Sequence, residues 1–232
     1  GTSWNVTFYV DGKFSKNPSG TASGSGSSQP QSSTRNIHIG ALNYNVNGVT
    51  DCFNGQISDV RIYDKALTAD QVNELYHERS SVYHFEEKTN LKLHLPLNHS
   101  LKDISGNGYN GSFIGGNPSY VENYTGDQNG ALDFDGVNDY VDIGHVPAIN
   151  FQRTDNFTIN CWVNVDGISG SSYEYNDILG QMNGDTSNDR GWYIQQHLTT
   201  LYLTIRAGDA ANNYQLIVYP NGYSFTVGVW TH

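Results

Sequence analysis

Aromatic faces with amides, a carboxylate and a guanidinium close by are the chemistry of sugar recognition. Rings stack on the apolar face of a pyranose while the polar groups bond its hydroxyls. Residues 166–191 hold that mixture in Tyr173, Tyr175, Asn188, Asp189 and Arg190, within a stretch that reads as a long polar loop. Tyrosines that only cover a β-surface would give the same letters, since the chain has 16 of them. Hydrolytic chemistry is harder to find. Cleaving a glycosidic bond takes two carboxyl groups held across it. No strand offers that pair clearly: Asp133 and Asp135 share a face, but they flank a tight turn where structural roles explain them better. Gly-x-Ser-x-Gly, His-Glu-x-x-His and a phosphate-cradling glycine loop are absent, and the eight His are dispersed. The residues point to a binding or structural protein rather than an enzyme.

The elements that must position these side chains are strands. With 16 Tyr, 9 Phe, 4 Trp and 25 Gly but a single Met, the 232 residues read as short strands joined by many turns. A net charge of −11 argues against a nucleic-acid or anionic-membrane partner and is compatible with calcium. No apolar run approaches the roughly 20 residues that span a bilayer. Residues 3–14 alternate Trp4, Val6, Phe8 and Val10 on one face, and 15–34 read as a Ser- and Gly-rich loop. A strand at 35–42 is followed by a loop at 43–54. Ile57, Val60 and Ile62 line one face of a further strand, with an adjustment at Asp59. Thr68 and Gln71 spell a capping box for a short helix near 68–77, with Leu67 and Val72 as its hydrophobic staple. The mixed charges of 77–90 mark a connector that reaches on the order of 45 Å when extended. Beyond it, Leu91, Leu93, Leu95 and Leu97 alternate; 157–165 is apolar enough for a central strand, and strands follow at 192–196, 200–206 and 214–219, before the closing FTVGVWTH. Cys52 and Cys161 allow one bridge or two buried thiols.

The stretch GALDFDGVNDYVDIG (130–144), preceded by LKDISGNGYNG (101–111) and followed by FTINCWVNV (157–165), resembles the N-terminal half of a laminin-G-like, concanavalin A-like jelly-roll module. GQISDVRIYDKALTADQVNELY (55–76) resembles the C-terminal end of the same family, so the order is reversed: 1–76 the later half, 77–90 a connector, 91–232 the earlier half. The resemblance implies an all-β fold of two antiparallel sheets. Three arrangements follow from the order: a permuted domain closing on itself, one period of a tandem array, or a fragment. Related sandwiches carry a structural calcium ion, and the matching positions here are Asp59, Asp103 and Asn107. Glycosidases of the family place acidic residues as E-x-D-x-x-E or E-x-D-x-E, which do not occur here. The expected function is a non-catalytic extracellular or cell-surface module of an adhesin, fibre or matrix-like protein, joined to neighbouring copies by shared strands. The alternative is a glycan-binding accessory module of a secreted multidomain protein.

Overall fold

The alternating apolar runs become strands in a computed structural model, which describes residues 6–15, 19–23, 35–45, 48–78, 89–151, 155–167, 175–183, 190–209, 212–220 and 223–232. In chain order the strands are β1 (Tyr9–Val10), β2 (Lys13–Phe14), β3 (Ser19–Ser23), β4 (Ile37–Ile39), β5 (Leu42–Asn45), β6 (Gly48–Thr50) and β7 (Asn54–Tyr63). The helix α1 (Ala69–His77) follows, and then β8 (Leu91–Leu95), β9 (Ser112–Ile114), β10 (Ser119–Val121), β11 (Ala131–Asp135) and β12 (Tyr140–Gly144). The last are β13 (Thr158–Val165), β14 (Tyr175–Asn183), β15 (Arg190–His197), β16 (Thr200–Asp209) and β17 (Asn212–Tyr219).

Two antiparallel sheets face each other. The five-stranded sheet runs β10-β11-β7-β13, with β8 also on β7; the eight-stranded sheet runs β3-β17-β16-β15-β14-β4-β12-β9. Their inner faces supply one core, in which Ile37, Ile39, Phe53, Ile57, Val60, Ile62, Leu93, Leu95, Leu132 and Val141 are fully buried. Each sheet takes an interior strand from before residue 77. β4 lies between β14 and β12, and β7 lies between β13 on one side and β11 and β8 on the other. The hydrophobic face of either stretch is thus covered by the other, which is what a sandwich core requires.

The adjustment at Asp59 is a β-bulge. Asn160 pairs with Arg61 and Trp162 with Ser58, so Asp59 and Val60 together stand opposite Cys161. Asp59 takes the extra residue at φ +53°, a left-handed conformation that Asp tolerates better than most side chains. The bulge restores Val60 and Ile62 to the core after Ile57.

The helix forms as its caps dictate. The Thr68 side chain accepts from the Gln71 amide, and Gln71 accepts from the Thr68 amide. Leu67, Val72 and Leu75 then pack with Tyr63 and Leu91 in a small cluster of their own.

Several stretches differ from their sequence patterns. Residues 15–34 contain β3, which pairs with the edge of β17, and 43–54 contain most of β5 and all of β6. Of the described residues in 3–14, Tyr9–Val10 and Lys13–Phe14 form strands, as a hairpin. The terminal FTVGVWTH makes a single bridge, Thr231 to Val163. Most tellingly, β14 occupies the middle of the supposed loop 166–191. A register shift between Asp177 and Leu179 puts the adjacent Ile178 and Leu179 both in the core, which erases the period-two signal. Gly180 adds to the concealment: a Cβ there would stand 2.5 Å from that of Tyr193.

Candidate functional site

The bulge that aims Val60 inward aims Asp59 and Arg61 to the opposite face. There the guanidinium grips the carboxylate with two parallel bonds, Nε to Oδ1 at 2.9 Å and Nη2 to Oδ2 at 2.8 Å. Arg61 also donates through Nη1 to Glu78 Oε2 at 2.7 Å, just past the helix. His94, the cross-strand partner of Arg61 on β8, reaches Asp59 Oδ1 through Nε2 at 2.8 Å. Asp59, Arg61 and His94 are all buried. Burial pushes the Asp59 carboxyl up, but Arg61 and then His94 outweigh it and hold it well below the usual carboxylate range. A carboxylate so committed is a counterion and a poor general base.

Asp103 lies on the other side of His94. Its Oδ1 accepts from the amides of His94 at 3.0 Å and Ser105 at 2.9 Å. Its Oδ2 accepts from the Ser105 hydroxyl at 2.9 Å and the Tyr109 amide at 3.0 Å. Asn107 turns its amide nitrogen to the carbonyls of Leu91 and Lys92, both at 3.1 Å. The three residues expected to hold calcium are therefore neighbours, and protein donors reach each carboxylate oxygen of Asp59 and Asp103. Among the described residues no three His, Cys, Asp or Glu side chains converge as a metal-binding group.

Above this charge cluster opens a recess of 240 Å³, floored by Asp59, Arg61 and His94 and rimmed by Asn98, Asn123, Tyr124 and Asp127. Asn123 shapes the rim, its Oδ1 accepting from the amides of Thr125 and Asp127. Tyr124 stacks flat on Trp162, with ring centroids 3.9 Å apart and planes 7° from parallel, and Tyr76 of α1 stacks near the same indole at 5.4 Å. Burial, with Asp59 next, pushes the Tyr124 phenol well above its ordinary value. Trp162 Nε1 and His232 Nε2 are buried here with no hydrogen-bond partner. Burial lowers His232 to about 4, so its ring is neutral at pH 7.

Of the sugar-binding candidates, Tyr173, Asn188 and Asp189 lie outside the described residues, as does the side chain of Arg190, whose backbone opens β15. Tyr175 is the first residue of β14 and 40% exposed. It stacks on His197, its cross-strand neighbour, at 4.4 Å. From His197 the row continues to Tyr202 at 5.9 Å and on to Tyr219 at 5.5 Å. Four adjacent strands thus carry one line of rings.

Arg61, His94 and Glu78 had not stood out in the sequence. Two signals were there to read: Asp59 and Arg61 are two apart on a strand, and His94 takes a polar place between Leu93 and Leu95. Cys52 and Cys161, left open above, are free thiols raised chiefly by burial, to about 11 and about 12.

Two facing antiparallel sheets with one capped helix make an antiparallel β-sandwich, consistent with a concanavalin A-like architecture. More particularly, residues 1–73 match a laminin-G-type family model, described as the concanavalin A-like lectin/glucanases superfamily. That segment, which supplies β1 to β7, is laminin-G-like. No curated protein and no solved structure matches the chain. No described helix is long and apolar enough to cross a membrane.

Proposed function

We propose that the protein is a non-catalytic structural or adhesive module of an extracellular protein, joined to neighbouring copies of itself by shared β-strands. The observation that supports this reading is the outer edge of β13. One side of that strand pairs with β7 along its length; the other meets only the stretch 228–231, leaving the part near Thr158 without a partner strand among the described residues. An open edge of this kind is a template for another chain. The test is light scattering on the intact chain from micromolar to millimolar concentration. A mass rising above 25.7 kDa supports strand sharing, and a constant 25.7 kDa at every concentration removes it.

A second reading, a glycan-binding module, is favoured by the row Tyr175–His197–Tyr202–Tyr219. Rings spaced across adjacent strands offer successive stacking platforms to a linear sugar chain. A glycan panel screened against the intact chain and Tyr202→Ala checks it. Binding that is lost in the variant supports the reading, and no binding across the panel removes it.

A further inference from the structure

The stretch LKDISGNGYNG (101–111), between β8 and β9, carries two Asn-Gly pairs, Asn107-Gly108 and Asn110-Gly111. Two further pairs have both members among the described residues, Asn54-Gly55 and Asn129-Gly130. An asparagine before a glycine sets an electrophile beside a nucleophile. The glycine amide nitrogen, with no Cβ to shield it, can bond the asparagine Cγ and close a cyclic imide. The attack needs a nitrogen whose proton is not already donated and a backbone with room to turn. The fold therefore decides which pair reacts.

Three of the four pairs are held. Gly55 lies inside β7, paired with Phe134 of β11 on one side and Val165 of β13 on the other. The Gly111 amide donates to Leu101 O at 2.8 Å, and the Gly130 amide donates to Asp127 O at 3.2 Å. Gly108 differs. Its amide donates to none of the described residues, and both it and Asn107 are exposed. Gly106 and Gly108 flank Asn107 at φ +96° and +82°, and a Cβ on either would meet nothing within 4 Å.

Asn107 is also the latch of its loop. Its Nδ2 donates to Leu91 O, Lys92 O and Ser105 Oγ, each at 3.1 Å. With the Ile104 amide on His94 O at 2.9 Å, these bonds fasten the loop along β8. A carboxylate at 107 would set an acceptor against the carbonyls of Leu91 and Lys92, where no donor remains to join them.

We propose that Asn107 is a site of spontaneous deamidation, and that its conversion unlatches the loop 103–111 from β8. The Gly108 nitrogen gives its proton to base and bonds Cγ; the Cγ–Nδ2 bond breaks, and Nδ2 leaves as ammonia. Water then adds to one carbonyl of the imide and opens the ring, to aspartate or, through the other carbonyl, to isoaspartate. Water is the one co-reactant. The atom that leaves is the atom that holds the loop, so the chemistry and the loosening are a single event.

Site-resolved peptide mapping by mass spectrometry tests it, on the intact chain kept in mildly alkaline buffer, folded and in urea. In urea the four asparagines convert at comparable rates. In the folded chain Asn107 converts first, and Asn54, Asn110 and Asn129 each lag it by at least about tenfold, because their reaction waits on local opening. In the converted fraction the Ile104 amide exchanges its hydrogen at least about tenfold faster than in the fresh chain. Gly108→Ala, with its fold verified by circular dichroism, lowers conversion at Asn107 by at least about tenfold, since a Cβ now shields the nitrogen. A folded chain in which Asn107 keeps its amide, or in which another of the four converts first, overturns the site. Conversion at Asn107 with unchanged exchange at Ile104 overturns the unlatching.

Discussion

Asp11 and His232, 221 positions apart, hold each other by two hydrogen bonds: the Asp11 amide donates to the His232 carbonyl, and the His232 amide donates to the Asp11 carboxylate, each at 3.1 Å. The contact seats the imidazole of His232 against Trp162 and Tyr76, where burial keeps it neutral down to about pH 4.

A pH dependence follows. The ring titrates at about 4 when folded and near 6.5 when unfolded, so between those values the unfolded chain binds more protons. Stability contributed by the neutral ring is complete above pH 6.5 and is lost as pH falls toward 4, by up to about 1.4 kcal/mol per pH unit. His38, lowered chiefly by burial, acts in the same sense. Asp51, Asp133 and Asp139 are raised chiefly by burial and act in the opposite one, gaining as they protonate. Urea titrations at pH 7.5 and 4.5 measure the sum, and His232→Gln should flatten the slope.

Asp59 has two separable duties, charge and backbone. Asp59→Asn keeps a side chain that tolerates the left-handed region but leaves Arg61 buried beside a neutral amide, and should cost about 3–5 kcal/mol. Asp59→Val adds a β-branched residue at φ +53° and should cost a further 1–3 kcal/mol or about that. Chemical denaturation of the two variants separates the duties. Equal losses would mean that the bulge carries no strain.

Gly40 has positive φ of 88° and stands against Phe134, where a Cβ would lie 2.5 Å from the ring. Both sheets contribute to this contact, since Gly40 follows β4 and Phe134 belongs to β11. Gly40→Ala should cost about 2–4 kcal/mol from strain and overpacking together, read as a lowered melting temperature.

Asp103 is the place to test calcium. Its carboxylate caps four donors, so Asp103→Ala should cost about 2–4 kcal/mol in chelator alone. The calcium proposal from the family resemblance requires more: millimolar calcium must raise the melting temperature of the unaltered chain and fail to raise that of the variant. An unchanged melting temperature in the unaltered chain ends it.

What the sequence determined by itself was local and periodic. Leu91, Leu93 and Leu95 announced one face of a strand, Thr68 and Gln71 announced a helix start, and the break between Ile57 and Val60 announced an irregularity at Asp59. Each depends on neighbours within a few positions, where pattern and physics coincide. Only the tertiary structure decided what the irregularity was for. Asp59 stands where β8 brings His94 across from Arg61 and the end of α1 brings Glu78. β14 was hidden because a register shift placed Ile178 and Leu179 both inward, and a bulge has no fixed spelling. The line of rings from Tyr175 to Tyr219 arises from the register of four successive strands, β14 to β17. Register is set by the packing of whole faces, and no single stretch contains it.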